Sequence, residues 1–232
     1  MSTPVALLLL RAAHPRHAAV SAAVLATAAA VSGRPLREVA LVAGTVLVGQ
    51  AALGWADDLA DRRRDERHRP DKPLARGDLD PGTVWFTLTC AVLLVVPLAV
   101  AHGRLAGISY LALLAVAGIG DRFLHSRILS FVPWVVSFAL YPAFLAYGGW
   151  NGVGTETPPT VVMTVLAGAL GLGVHVLLAL PGLVHDHEES ERSFPLLLAL
   201  RTGTPRLLVV ASAYTGLVAV AVLVAGRTTG LT

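Results

Sequence analysis

The chain has 232 residues, of which 55% are apolar and only 14% charged, and its mean hydropathy is +0.67. A soluble domain carries about 25% charged residues, so water is not this chain's only solvent. The formal charge of +3 and the pI near 9.5 would suit nucleic acid. Most charges, however, lie in short gaps between apolar runs instead of forming a basic face, which argues against that partner.

A spanning helix needs ~20 predominantly apolar residues, so the length sets a helix count. Residues 1–12 read as an interfacial helix lying along the membrane. No separate signal peptide is recognisable: the apolar run at 5–10 is too short, and Arg11–His17 follow it instead of a small-residue cleavage site. Seven apolar segments come next, at 18–33, 38–56, 82–101, 105–120, 128–147, 160–181 and 206–225. The first is rich in alanine and the fourth is short. Between the fifth and sixth, Gly148–Pro159 is small and polar, with Trp150 placed like an interfacial anchor. Cys90 is the only cysteine and lies in an apolar run, so it says little about redox compartment. No stretch resembles a soluble domain or a linker, and residues 1–232 are expected to form one integral membrane domain.

The connections are unequal. Residues 57–80 and 182–205 are long polar loops, whereas those near 34–37 and 102–104 are tight. With both long loops on one side, that side collects fourteen Lys and Arg and the other keeps four, namely Arg34, Arg37, Arg104 and Arg227. An excess of Lys and Arg marks the cytoplasmic face, so both loops are expected there, in a multi-pass protein of a bacterial cell membrane.

Twelve of the fifteen acidic residues fall in those two loops. The first begins Asp57-Asp58-Leu59-Ala60-Asp61-Arg62-Arg63-Arg64-Asp65. If the preceding helix continues for two turns, Asp57, Asp61 and Asp65 recur every fourth residue and share one face. Like charges stacked this way destabilise a bare helix, which makes sense if a divalent cation sits among them. Magnesium suits such a site, because it binds through a few carboxylates and keeps water or phosphate oxygens as its other ligands. Arg64, Arg69, Lys72 and Arg76 follow closely, and arginine matches phosphate oxygens two at a time. The pattern describes a site for a metal-bridged polyphosphate. A charged loop that only enforces topology is the plainer alternative.

The second loop reads His185-Asp186-His187-Glu188-Glu189-Ser190-Glu191-Arg192-Ser193-Phe194-Pro195. Like the first, it is acidic, then basic, then proline and apolar. The chain therefore reads as two degenerate copies of a helix pair closed by an acidic loop, a plan that often places a site between repeats. His185 and His187 suggest zinc only weakly, since zinc sites want three or four well-spaced nitrogen or sulfur ligands. Arg122 and Arg127 can reach the same phosphates, or can serve topology alone.

At these residues the chain resembles the UbiA superfamily of intramembrane prenyltransferases. That family carries Asn-Asp-x-x-Asp-x-x-x-Asp after its second helix, then Arg-Pro-x-(Arg/Lys)-Pro-(Ile/Leu)-x-x-Gly. Here Asp57 to Asp65 match with aspartate for the asparagine, and Arg69-Pro70-Asp71-Lys72-Pro73-Leu74-Ala75-Arg76-Gly77 match without a gap. The second family motif is Asp-x-x-x-Asp, a small residue, then Arg-Thr-Leu-Pro. Asp186, Ser190 and Arg192-Ser193-Phe194-Pro195 take its places, but the first aspartate falls on Gly182, and Glu188 or Glu189 would have to substitute. The family usually has eight or nine spans, against the seven read here.

The resemblance implies an all-α, polytopic transmembrane bundle of about seven helices around a central cavity. Asp57, Asp58, Asp61, Asp65, Asp186 and Glu189 would hold Mg2+, with Asp57, Asp61, Asp65 and Asp186 catalytic. Arg64, Arg69, Lys72, Arg76, Arg122, Arg127 and Arg192 would bind the diphosphate of an isoprenoid donor. A lipophilic or aromatic acceptor and membrane lipid would be the other partners. Trp134, Phe138 and Tyr141 can offer aromatic faces to an allylic cation, or simply pack. The expected activity is prenyl transfer. A membrane terpene cyclase, or a non-catalytic prenyl-diphosphate-binding subunit, is the alternative. A transporter is disfavoured because no unpaired charge lies in mid-span.

Overall fold

The computed structural model describes residues 3–149 and 157–228; Trp150 lies outside them. Among the described residues there are ten α-helices and no strand. They are α1 (Val5–Ala12), α2 (Pro15–Val31), α3 (Leu36–His68), α4 (Pro81–Ala101), α5 (Arg104–Leu124), α6 (Phe131–Ala146), α7 (Val161–Ala179), α8 (Leu183–Glu188), α9 (Phe194–Thr202) and α10 (Thr204–Thr228). The seven apolar segments fall on α2 to α7 and α10. Five of these helices are long and apolar enough to cross a membrane, and α6 is a shorter apolar helix. Helix α2, alanine-rich and 17 residues long, is the weakest of the seven.

Local chemistry sets the boundaries. Pro15 and Pro81 occupy the first turns of α2 and α4, where proline's missing N–H costs nothing. Asp80 caps α4 by accepting a hydrogen bond from the Thr83 N–H at 2.9 Å, and Thr160 caps α7 through the Met163 N–H at 3.3 Å. Phe86, Leu93, Val209 and Leu217 are 68–73% exposed. Lipid is the natural neighbour of such faces.

The two long connections are more helical than their polarity suggests. Helix α3 runs on to His68, so only residues 69–80 are loop, and α8 and α9 occupy most of 182–205. With 33 residues, α3 is ~50 Å long, well beyond a ~30 Å hydrocarbon core. Its last turns, which carry the charges, can therefore stand clear of the hydrocarbon.

Contacts divide the described residues into two compact units, residues 3–107 with 149, and residues 108–148 with 157–228. In the first, Leu8 and Ala12 of α1 pack with Leu74 and Leu79 of the 69–80 loop and with Val84 of α4. In the second, Val176, Leu183, Leu196, Ala199, Leu207 and Ala211 form the core.

Candidate functional site

Helix α3 carries the whole first acidic motif on continuous backbone, as the four-residue spacing requires. The four aspartates nevertheless differ. Asp58 and Asp65 are buried, at 1% and 5% exposure, whereas Asp57 and Asp61 are partly exposed. Lys72 Nζ donates to Asp58 Oδ1 at 2.8 Å and to Asp65 Oδ2 at 2.7 Å. Burial by itself would lower the Lys72 pKa, but the two carboxylates outweigh it and hold the ammonium above its ordinary value. The sequence expectation had Lys72 on phosphate and Asp58 and Asp65 on the cation. In the structure these three groups bond to one another.

The loop that delivers Lys72 is built for the purpose. The Arg69 N–H bonds to the Asp65 carbonyl at 2.8 Å, and the Arg76 N–H to the Lys72 carbonyl at 3.0 Å. Gly77 follows at φ +76°, a conformation that costs glycine nothing. Leu74 and Leu79 are each 2% exposed and anchor the turn on α1 and α4. The Pro-x-Lys-Pro-Leu-x-x-Gly stretch is thus a clamp that returns a lysine onto the helix it has just left.

A histidine completes this cluster. His14 Nε2 lies 3.0 Å from Asp58 Oδ1 and 3.9 Å from Asp57 Oδ2. A carboxylate can only accept, so Nε2 carries the hydrogen in the shorter contact. His14 sits at φ +49° between α1 and α2, and it approaches α3 because Gly54 admits the Ala13 backbone. A Cβ on Gly54 would stand 2.7 Å from the Ala13 carbonyl carbon. The stretch 1–12 drew attention only as an interfacial helix, and nothing in its spacing pointed to the histidine just beyond it.

The arginines of the first motif occupy varied settings. Arg62 pairs with Glu66 at 3.3 Å and Arg76 with Asp78 at 3.1 Å. Arg69 is exposed at the end of α3, and Arg64 is partly buried. As exposed pairs, the two salt bridges contribute little stability and leave both guanidinium groups accessible to a ligand.

In the second unit, Asp186 on α8 is buried at 7% exposure, and Glu189 is partly buried. The turn after α8 passes through Ser190 at φ +57°. It is fastened by the Arg192 N–H to the Ser126 carbonyl at 3.0 Å. Ser130 Oγ accepts from the Phe194 N–H at 3.1 Å and lies 3.0 Å from His175 Nε2. The start of α9 is thereby tied to α6 and α7. Arg127, Arg192 and Glu189 line one cavity of about 780 Å3, along with Ser126, Ser190 and Glu191. Arg122 is exposed at the end of α5. Trp134 stacks on His175 at 5.5 Å, and Phe138 lies edge-on to Tyr141 at 5.7 Å. His185 Nδ1 lies 3.5 Å from Glu188 Oε2, one turn away.

The donors suit magnesium. Asp57 and Asp61 offer carboxylate oxygens from adjacent turns with part of their surface accessible, the hard-oxygen set that this cation takes.

Among the described residues the chain is all-helical, with five helices long and apolar enough to cross a membrane, an aspartate-rich helix end and arginine-bearing turns, the plan of a multi-pass membrane protein. Residues 18–232 match the UbiA prenyltransferase family, and the chain belongs to it. A solved structure described as a UbiA homolog from Archaeoglobus fulgidus bound to GPP and Mg2+ has the same fold. It superposes with a TM-score of 0.67 at 17% identity, covering 92% of this chain and 76% of that one. A comparison with curated proteins finds no match.

Proposed function

We propose that this chain is a magnesium-dependent intramembrane prenyltransferase that moves an isoprenoid chain from its diphosphate to a lipophilic or aromatic acceptor. Family membership supports prenyl chemistry, and the homolog of the same fold bound to GPP and Mg2+ supports the donor and cation. One structural observation carries the reading to this chain's residues. The first acidic motif is a single continuous helix end, with two carboxylates accessible and two locked onto Lys72.

On this reading Asp57 and Asp61 hold the cation at the first motif, with Asp186 and Glu189 serving at the second. Asp58 and Asp65 hold Lys72, and so fix the loop that presents Arg69 and Arg76. Arg64, Arg69, Arg76, Arg122, Arg127 and Arg192 supply planar forks for the donor's phosphate oxygens. Magnesium, when bound, neutralises charge that develops on the departing diphosphate. The aromatic faces of Trp134, Phe138 and Tyr141 favour positive charge on the allylic carbon. Apolar faces of the spanning helices take the hydrocarbon tail, and both acidic motifs face the cytoplasm of a bacterial cell.

The test is incubation of purified protein with magnesium and prenyl diphosphates of several lengths, measuring pyrophosphate release with and without candidate acceptors. Acceptor-dependent release supports transfer. Release with a cyclised product and no acceptor assigns a terpene cyclase instead. No release under any condition points to a non-catalytic binding subunit, the reading that the missing carboxylate at Gly182 would favour.

A further inference from the structure

The second acidic motif has glycine at position 182, where the family pattern has an aspartate, yet the fold gathers a different donor set around Asp186. His125 follows α5, Asp186 lies on α8 and Glu191 follows α8. Each offers one ligand atom, and the three atoms lie within 4.8 Å of one another. The Asp186 residue is 7% exposed and the Glu191 side chain 12%, so two carboxylates share a site with little water. His125 Nε2 stands 4.0 Å from Glu191 Oε2, beyond hydrogen-bond reach, and a cation taking both as ligands would draw them closer, since zinc–nitrogen bonds are about 2.0–2.1 Å.

The backbone holds this arrangement from both sides. The Glu191 N–H donates to the Asp186 carbonyl at 2.9 Å, and the neighbouring Arg192 N–H donates to Ser126, the residue after His125. A second observation points to a ligand. The adjoining cavity is lined by Arg127 and Arg192 together with Glu191, so two arginines border the space beside the donor set. Arginine pairs of this kind suit a phosphate whose charge a metal shares.

We propose that His125 and Glu191 complete with Asp186 a divalent-cation site with a nitrogen ligand, Glu189 lining the adjoining cavity, and that the site serves where the family pattern uses a carboxylate at position 182. An imidazole among the ligands raises affinity for Mn2+ or Zn2+ relative to Mg2+, so this site is more selective for transition metals than the carboxylates of α3. Arg127 and Arg192 bind phosphate oxygens beside it. The anionic ligand rests on the prenyl-diphosphate reading; the cation site does not.

Position 182 provides an internal control. Gly182 has φ −91°, which any residue adopts, and a Cβ built there meets only Asp186 Oδ1, at 3.8 Å. An aspartate at 182 is therefore accommodated beside Asp186 and would restore a carboxylate pair.

The experiment is a Mn2+ titration of metal-stripped, full-length protein in detergent, followed by electron paramagnetic resonance and electron spin-echo modulation. Wild type is expected to bind one Mn2+ population with modulation from a directly bound nitrogen. His125→Gln removes that modulation and weakens the population at least about tenfold, the lower end of what losing even a group that only orients a ligand costs. Glu191→Gln weakens it similarly but keeps the nitrogen signal. Adding Gly182→Asp to His125→Gln restores binding without the nitrogen signal. Asp61→Asn leaves this population intact and removes only binding at α3. Wild type without nitrogen modulation, or His125→Gln with unchanged modulation and affinity, overturns the proposal. If His125→Gln loses its circular dichroism signal, Glu191→Gln decides, and unchanged Mn2+ affinity there overturns the proposal as well. An Asp61→Asn variant that keeps full Mn2+ binding and turnover would instead sink the assignment of magnesium to α3, with the His125 result unaffected.

Discussion

Lys72 Nζ stands 2.8 Å from Asp58 Oδ1, although the two residues belong to different elements and Asp58 is 1% exposed. The same ammonium is 2.7 Å from Asp65 Oδ2. One lysine therefore satisfies two buried carboxylates and fastens the loop after α3 back onto that helix. A pair buried this deeply is weak evidence of net stabilisation, but removing one partner leaves an uncompensated charge.

Lys72→Met should consequently destabilise the protein by about 3–5 kcal/mol, the usual cost of stranding a buried charge. The melting temperature of the metal-free protein in detergent checks this. The double variant Lys72→Met/Asp58→Asn should be more stable than Lys72→Met alone. A double variant as unstable as the sum of the two single changes would show that the residues do not act as a unit.

Asp61→Ala should abolish magnesium-dependent pyrophosphate release while leaving the protein folded, because Asp61 is partly exposed and is not one of the buried pair. Activity and circular dichroism measured on the same preparation separate the two effects. Full activity in Asp61→Ala would remove the first cation site from the account.

Replacing Arg127 and Arg192 together by glutamine should raise the KM for the prenyl diphosphate by at least about tenfold, since charge-assisted bonds to phosphate contribute about 1.5–3 kcal/mol each. The acceptor KM should stay within about twofold. An effect confined to the acceptor would contradict their placement on the donor.

Gly54 lets α3 approach the corner between α1 and α2, where a Cβ would meet the Ala13 backbone at 2.7 Å. Gly54→Ala should cost about 1–3 kcal/mol, as overpacking does, and should loosen the His14–Asp58 contact. A loss of this size appears as a lower melting temperature, and a neutral outcome would show that the corner moves aside easily.

His102, after the end of α4, is 2% exposed. Burial, helped by the charge of Arg34, lowers its pKa from 6.5 to about 4. Below pH 6.5 the unfolded chain takes up a proton that the folded protein refuses, so stability should fall as pH drops from about 6.5 to about 4 and then level off. A depression of that size corresponds to roughly 3 kcal/mol. The melting temperature of His102→Gln should vary less with pH across that window, and an equally steep profile would place the titration elsewhere.

The sequence by itself determined the solvent, the spans and the first motif. Hydropathy is a sum over neighbouring residues, and the recurrence of Asp57, Asp61 and Asp65 needs only the helical period. It also carried the family pattern and the departure from it at Gly182. Tertiary structure alone decided which carboxylates are buried and what faces them. His14 meets Asp58 from 44 positions away, and His125 joins Asp186 and Glu191 from another helix end. Charge pairing depends on distance and burial, and neither can be read from spacing along a chain once it has turned back on itself.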